Sequence, residues 1–250
     1  MSHRRLWARS TQEIQVSDII ERYHTPLDFR TKLAGLITEI CRENNYVRVI
    51  EVGSETGLTS MLLGAELEIT YFDLNGDAIE KAKQACEQLH KKGRFVVGDM
   101  FSMSFRDRAY DVVFNSGVVE HYNRSDRIRM LREYSRILRD DGTMVLGVPN
   151  HHSLPYRCAY MLKKRILGGY QWAWPTEYRI YDLRKELKAT GLRLVKRLTF
   201  GKVTLFGFWS FSRILRKLWT WSDRLFHHEG YLTTLVIKKD RAGEVSGQCG

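Results

Sequence analysis

The sequence predicts an α/β fold: a seven-stranded, mostly parallel sheet with helices on both faces and a cap built from its C-terminal part. Three observations carry this expectation. Between residues 47 and 148, short β-branched or aromatic runs alternate with longer stretches of helical periodicity, the pattern of βαβ units. A turn with two glycines, EVGSETG at 51–57, follows the first run directly and opens a helix. An acid, Asp73, ends the second run.

Taken in order, residues 1–40 read as a helical lead-in and 41–150 as the core. VRVIEV (47–52) is the first buried strand, with a helix expected from Leu58. EITYFD (68–73) is the second, followed by a helix from Asp77 to His90. RFVVG (94–98), YDVVFN (110–115) and TMVLGVP (143–149) supply three more strands. A basic helix, RSDRIRMLREYSRILRD (124–140), precedes the last of these, and Asp140-Asp141-Gly142 predicts its stop and turn. After Asn150 the pattern turns irregular, aromatic and basic until a helix at 181–190. LRLVKRLTF (192–200) and YLTTLVIKK (231–239) then read as two strands that complete the sheet. Residues 151–240 therefore combine sheet completion with a cap, the insertion being 201–229, and 241–250 read as a low-order tail.

Composition narrows the classes. The chain has 250 residues, 43% hydrophobic and 28% charged, ordinary for a globular protein with a real core. No apolar run approaches the eighteen residues of a membrane span, and the arginines of the first ten residues precede no apolar stretch. The four cysteines form no CxxC pair, so neither a zinc site nor a disulfide framework is signalled; the reading is no metal and a reducing, cytoplasmic setting. The net charge of +11 is concentrated: residues 151–228 hold sixteen Lys or Arg against four Asp or Glu. Such a segment attracts phosphates or serves as a solvated basic surface.

The chemistry lies at strand ends. Glycines at a strand-to-helix turn let the backbone pass close to a ligand, and the helix N-terminus can offer N–H groups to a carboxylate or phosphate. Asp73, twenty residues beyond Gly53, is placed for ribose hydroxyls, as in any adenosine-binding α/β fold. Gly98-Asp99-Met100, ending the third strand, suits an adenine amino group and its ring face.

Together EVGSETG, YFDLN, GDM and YDVVFNSGVVEH resemble the ordered motifs of Rossmann-like class I S-adenosylmethionine-dependent methyltransferases, especially the small-molecule group, over residues 45–150. Weaker agreement continues through 175–197. The resemblance implies S-adenosyl-L-methionine as cofactor. It places Glu51, Gly53, Ser54 and Gly57 around the methionine part, Asp73 and Leu74 at the ribose, Asp99 and Met100 at the adenine, and Asn115 and Ser116 beside the sulfonium. One position departs from the pattern: Glu55 stands where the family has glycine. Its side chain either points outward or narrows the pocket and repels the cofactor's carboxylate, the second case making the chain a degenerate, non-catalytic binding protein of the same fold.

Methyl transfer needs positioning above all, with a general base only for weakly acidic acceptors. His121, His151 and His152, at strand ends, are the candidate bases; a buried pair Glu120-His121 and an exposed loop at 151–152 are the alternatives. Tyr156, Tyr160, Trp172, Trp174 and Tyr178 could line an apolar acceptor pocket or form the cap's own core. The expected partner is a small-molecule acceptor, oxygen foremost. A nucleic-acid acceptor is disfavoured because the fourth strand ends in NSGV rather than Asn-Pro-Pro-aromatic. Residues 205–228, with three tryptophans, four phenylalanines and four basic residues at helical spacing, could rest at a membrane surface, cap the pocket or pack inward.

Overall fold

A computed structural model describes residues 14–153, 178–201 and 230–240. The aromatic residues Tyr156, Tyr160, Trp172 and Trp174, and the expected helix at 205–228, lie outside the described residues.

Two helices lead in, α1 (Val16–His24) and α2 (Asp28–Asn44). The core then alternates β1 (Arg48–Val52), α3 (Leu58–Met61), β2 (Glu68–Asp73), α4 (Gly76–Gln88), β3 (Arg94–Val97) and β4 (Tyr110–Ser116). A 3-10 turn (Val119–His121), α5 (Arg124–Ile137), β5 (Leu138–Pro149), α6 (Arg184–Lys188), β6 (Leu192–Phe200) and β7 (Leu232–Lys239) follow. The seven strands form one sheet in the order β3-β2-β1-β4-β5-β7-β6. The pairings from β3 through β5 are parallel, and β7 runs antiparallel to both β5 and β6. This is the expected mostly parallel α/β sheet.

Two cores flank the sheet, because successive strand residues point to opposite faces. Val49, Ile69, Tyr71, Phe114 and Val145 meet α1, α2 and α4 on one side. Ile50, Phe72, Val113, Met144 and Ile237 meet α5 and α6 on the other. A buried ion pair ties that second layer together: Arg127 Nη2 of α5 lies 2.7 Å from Glu186 Oε1 of α6, their side chains 12% and 6% exposed.

Two local expectations are corrected. The helix after the glycine turn is a single turn of four residues. The basic helix ends at Ile137, and Asp140-Asp141-Gly142 lies within β5 instead of forming a turn. Leu138 pairs with Tyr110 and Thr143 with Val112, so Arg139 to Gly142 bulge out opposite Asp111. The bulge is held by charge: Asp111 accepts from Val47 N at 3.0 Å, Arg48 N at 2.8 Å, Arg48 Nη2 at 2.8 Å and Arg139 Nη1 at 3.2 Å. A Cβ at residue 142 would sit 2.8 Å from Asp111 O, so the bulge needs glycine there.

Candidate cofactor cleft

The strand order reverses between β1 and β4, and open α/β sheets open a crevice at the carboxyl ends of such neighbours. A cleft of about 190 Å³ lies there. Its walls come from the turn after β1 (Gly53, Ser54, Glu55, Leu58, Thr59), the segment after β4 (Ser116, Gly117, Glu120), the strand ends at Pro149, Tyr231 and Leu232, and the start of α2 (Phe29, Arg30).

The turn is held from below. Gly53 N and Ser54 N both donate to Phe72 O, at 2.8 and 3.1 Å, and Gly57 N donates to Ser54 O at 2.7 Å. Asp73 Oδ2 accepts from Glu55 N at 2.8 Å and its Oδ1 from Asn75 N at 2.9 Å. Burial raises the Asp73 carboxyl, and these N–H groups oppose that rise. Each carboxylate oxygen keeps a second lone pair for a ligand hydroxyl.

Gly53 and Gly57 have φ of +74° and +71°, where side chains are strained. Space forbids them as well: a Cβ at Gly53 would lie 2.7 Å from Val118 Cγ2, and one at Gly57 2.5 Å from the Tyr71 ring. Glu55, with φ of +48°, takes the left-handed conformation with a side chain present. It belongs to the cleft wall. Burial raises its carboxyl, while Arg30 and Arg22 pull it down and Asp73 pushes it up.

Beneath the turn, Glu51 at the end of β1 is 4% exposed and accepts from Ser60 Oγ at 2.6 Å. Burial pushes its carboxyl up to about 7, against the Ser60 hydrogen bonds and the positive field of Arg30.

The remaining expected residues divide. Ser116 joins Glu51, Gly53 and Ser54 on the cleft wall, but Asn115 is fully buried and donates to Tyr134 Oη at 3.2 Å. Leu74 is half-buried beside Asp73. Asp99 is exposed, its Oδ1 accepting from Phe101 N at 2.9 Å, and Met100 touches Tyr134 Oη through its sulfur at 3.7 Å. None of the three histidines lines the cleft. His121 is buried in the 3-10 turn, next to the wall residue Glu120. His151 is buried, its Nδ1 lying 3.2 Å from Ile180 N and 3.4 Å from Ile180 O. His152 is exposed, edge-on to Tyr181 with ring centroids 5.0 Å apart. Tyr178 is 39% exposed, with the Arg127 guanidinium 6.0 Å from its ring centre.

Arg30 and Phe29 are among the wall residues that sequence reasoning missed, because nothing in the helical pattern of 28–44 brings its first turn back over β1. A contact between chain ends does so: Phe29 packs on Tyr231 with ring centroids 4.9 Å apart.

Comparison with known proteins agrees with this geometry. A family described as "Methyltransferase domain" matches residues 49–142. A demethylmenaquinone methyltransferase of Thermotoga maritima is 30% identical over 145 residues, covering 57% of this chain and 59% of its own length. Residues 49–142 of the chain thus resemble a methyltransferase domain.

Solved structures share the domain's fold. A S-adenosylmethionine-dependent methyltransferase from Clostridium acetobutylicum superposes with a TM-score of 0.59 at 14% identity, over 90% of this chain and 98% of that one. Magnesium protoporphyrin IX methyltransferase from Synechocystis, with S-adenosylhomocysteine bound, gives 0.57 at 17%, over 94% of both. Mitomycin 7-O-methyltransferase gives 0.58 at 15%, over 84% of this chain and 53% of that one. This chain thus spans between half and three fifths of the length of the Thermotoga and mitomycin enzymes. Among the described residues no cluster of His, Cys, Asp and Glu could hold a metal ion, and no helix is long and apolar enough to cross a membrane.

Proposed function

We propose that this domain binds S-adenosyl-L-methionine in the cleft above β1 and β4 and methylates a small-molecule acceptor at oxygen. The reading rests on one observation: at the reversal of strand order, a two-glycine turn that excludes side chains meets the Asp73 carboxylate. When bound, the cofactor would supply an electrophilic methyl group on sulfur.

The residues then have distinct tasks. Glu51, Gly53, Ser54 and Gly57 shape the room for the methionine part. Asp73 and Leu74 take the ribose, Asp99 and Met100 the adenine, and Ser116 the neighbourhood of the sulfonium, with Asn115 holding Tyr134 behind it. Tight walls orient the acceptor and exclude water, which supplies much of the rate in an in-line displacement. A proton leaving an acceptor hydroxyl would pass to His121, His151 or His152. Of these, His152 is the one whose ring is open to solvent.

The acceptor is proposed to be apolar and quinone-like, as the Thermotoga relative's name suggests for that enzyme. The setting is proposed to be cytoplasmic, with residues 205–228 bringing the protein to a lipid surface where such compounds reside. Titration calorimetry with S-adenosylmethionine and S-adenosylhomocysteine tests the cofactor assignment, and saturable binding of both is expected. No binding of either overturns it. Transfer of labelled methyl to demethylated naphthoquinols, with nucleic acid as comparison, then tests the acceptor class.

A further inference from the structure

The cofactor's amino-acid end carries a carboxylate and an ammonium, and the cleft must receive both charges. The glycine turn is poorly supplied for the carboxylate. The N–H groups of Gly53, Ser54, Glu55 and Gly57 already donate within the protein, and α3 is too short to present a helix-end field. Among the described residues the acids Glu55 and Glu120 stand in the walls, with Glu51, whose proton the fold holds more tightly, beside them. An anion entering there would be repelled unless a cation answered it.

Among the described residues Arg30 is the one cation in those walls. Its Nε is buried and has no hydrogen-bond partner among them. A buried N–H of a guanidinium is costly to leave unpaired, whereas a forked guanidinium suits a carboxylate. The side chain is also held in position: Phe29 beside it packs on Tyr231, and the Arg30 guanidinium lies 5.6 Å from the Phe29 ring centre. Arg30 is near enough to both Glu51 and Glu55 for its charge to act on each.

Glu55 supplies the other half. A left-handed backbone is unfavourable for a non-glycine residue, and this chain accepts it where glycine would adopt it freely. The carboxylate so placed lines the same cleft as Arg30, from the turn after β1.

We infer that Arg30 and Glu55 form a zwitterion clamp, Arg30 taking the carboxylate and Glu55 the ammonium of a bound α-amino acid end. Glu55 is then a ligand contact that replaces glycine, and Arg30 the cation that makes an acid tolerable in the turn. This rests on the cofactor reading above and specifies which end of the ligand is recognised, and by what.

Calorimetry with two nucleosides separates the two ideas. S-adenosylhomocysteine has the amino-acid end, and 5′-methylthioadenosine has the same adenosine and thioether without it. Wild type is expected to bind the first more tightly. Arg30→Ala should weaken S-adenosylhomocysteine by about tenfold or more and leave 5′-methylthioadenosine within about twofold. Arg30→Lys, which keeps the charge and loses the fork, should fall between. Glu55→Gly should weaken S-adenosylhomocysteine alone, by about threefold or more. Thermal melts of each variant establish that it is folded. The clamp is overturned if wild type binds S-adenosylhomocysteine and Arg30→Ala leaves that affinity unchanged or weakens both nucleosides equally. Equal or tighter binding of S-adenosylhomocysteine by Glu55→Gly overturns it too. If wild type binds neither nucleoside, the cofactor reading falls, and the clamp with it.

Discussion

Ser60 donates its hydroxyl to the Glu51 carboxyl across 2.6 Å in a wall where Glu51 is 4% exposed. Burial pushes that acid from 4.5 up to about 7, so the fold binds its proton more tightly than the unfolded chain does. Stability should therefore fall as pH climbs from about 4.5 to 7, by on the order of 3 kcal/mol from this group. Glu51→Gln, which keeps the shape and cannot ionise, should lack this fall. Melting curves from pH 5 to pH 8 should show the variant gaining on wild type as pH rises; a constant difference would remove the proton linkage.

Asp73 and Asp99 separate binding from folding. Asp73 anchors two backbone N–H groups, whereas Asp99 is exposed and holds one. Asp99→Ala should weaken S-adenosylhomocysteine by roughly 1–3 kcal/mol with little change in melting temperature. Asp73→Ala should do the same and lower the melting temperature as well, because the Glu55 end of the turn comes loose. Unchanged affinity in a folded double variant would end the adenosine assignment.

Gly57 is pinned by space and by backbone. A methyl group there would meet the Tyr71 ring at 2.5 Å, and φ is +71°. Gly57→Ala should cost about 2 kcal/mol or more in urea unfolding. Tyr71→Leu opens the room a methyl group needs, so the double variant should recover part of what the clash costs beyond the sum of the two single changes. Strict additivity would show that the backbone angle alone is responsible.

The Arg127 and Glu186 side chains are 12% and 6% exposed, so removing one leaves the other without its partner away from solvent. Arg127→Met should cost about 3–5 kcal/mol, and Arg127→Met with Glu186→Leu much less. Equilibrium unfolding of the two variants decides this; equal losses would mean that packing rather than charge governs the contact.

The strand-end motifs were legible because their letters are dictated locally. Gly53 and Gly57 are required by backbone angle and clearance, and Asp73 by the turn it supports. Strand periodicity likewise predicted all seven strands, since residues such as Val49 and Ile50 serve opposite cores. The end of the basic helix was misread because Asp-Asp-Gly is ordinary turn chemistry; here Asp111 and two arginines, distant in sequence, turn it into a bulge. Arg30 was invisible for the same reason. Its importance comes from where Phe29 is held by Tyr231, a contact that no local pattern records.

That ring contact also sets an order of events in the cell. Tyr231 N donates to Phe200 O at 2.8 Å, and Asn150 N donates to Tyr231 O at 2.8 Å, so the position of Tyr231 depends on β6 and on the end of β5. During synthesis the glycine turn leaves the ribosome long before Tyr231 does, and until then Phe29 lacks that ring as a partner. The walls that Tyr231 and Leu232 give the cleft are therefore added late, with the last of the described strands.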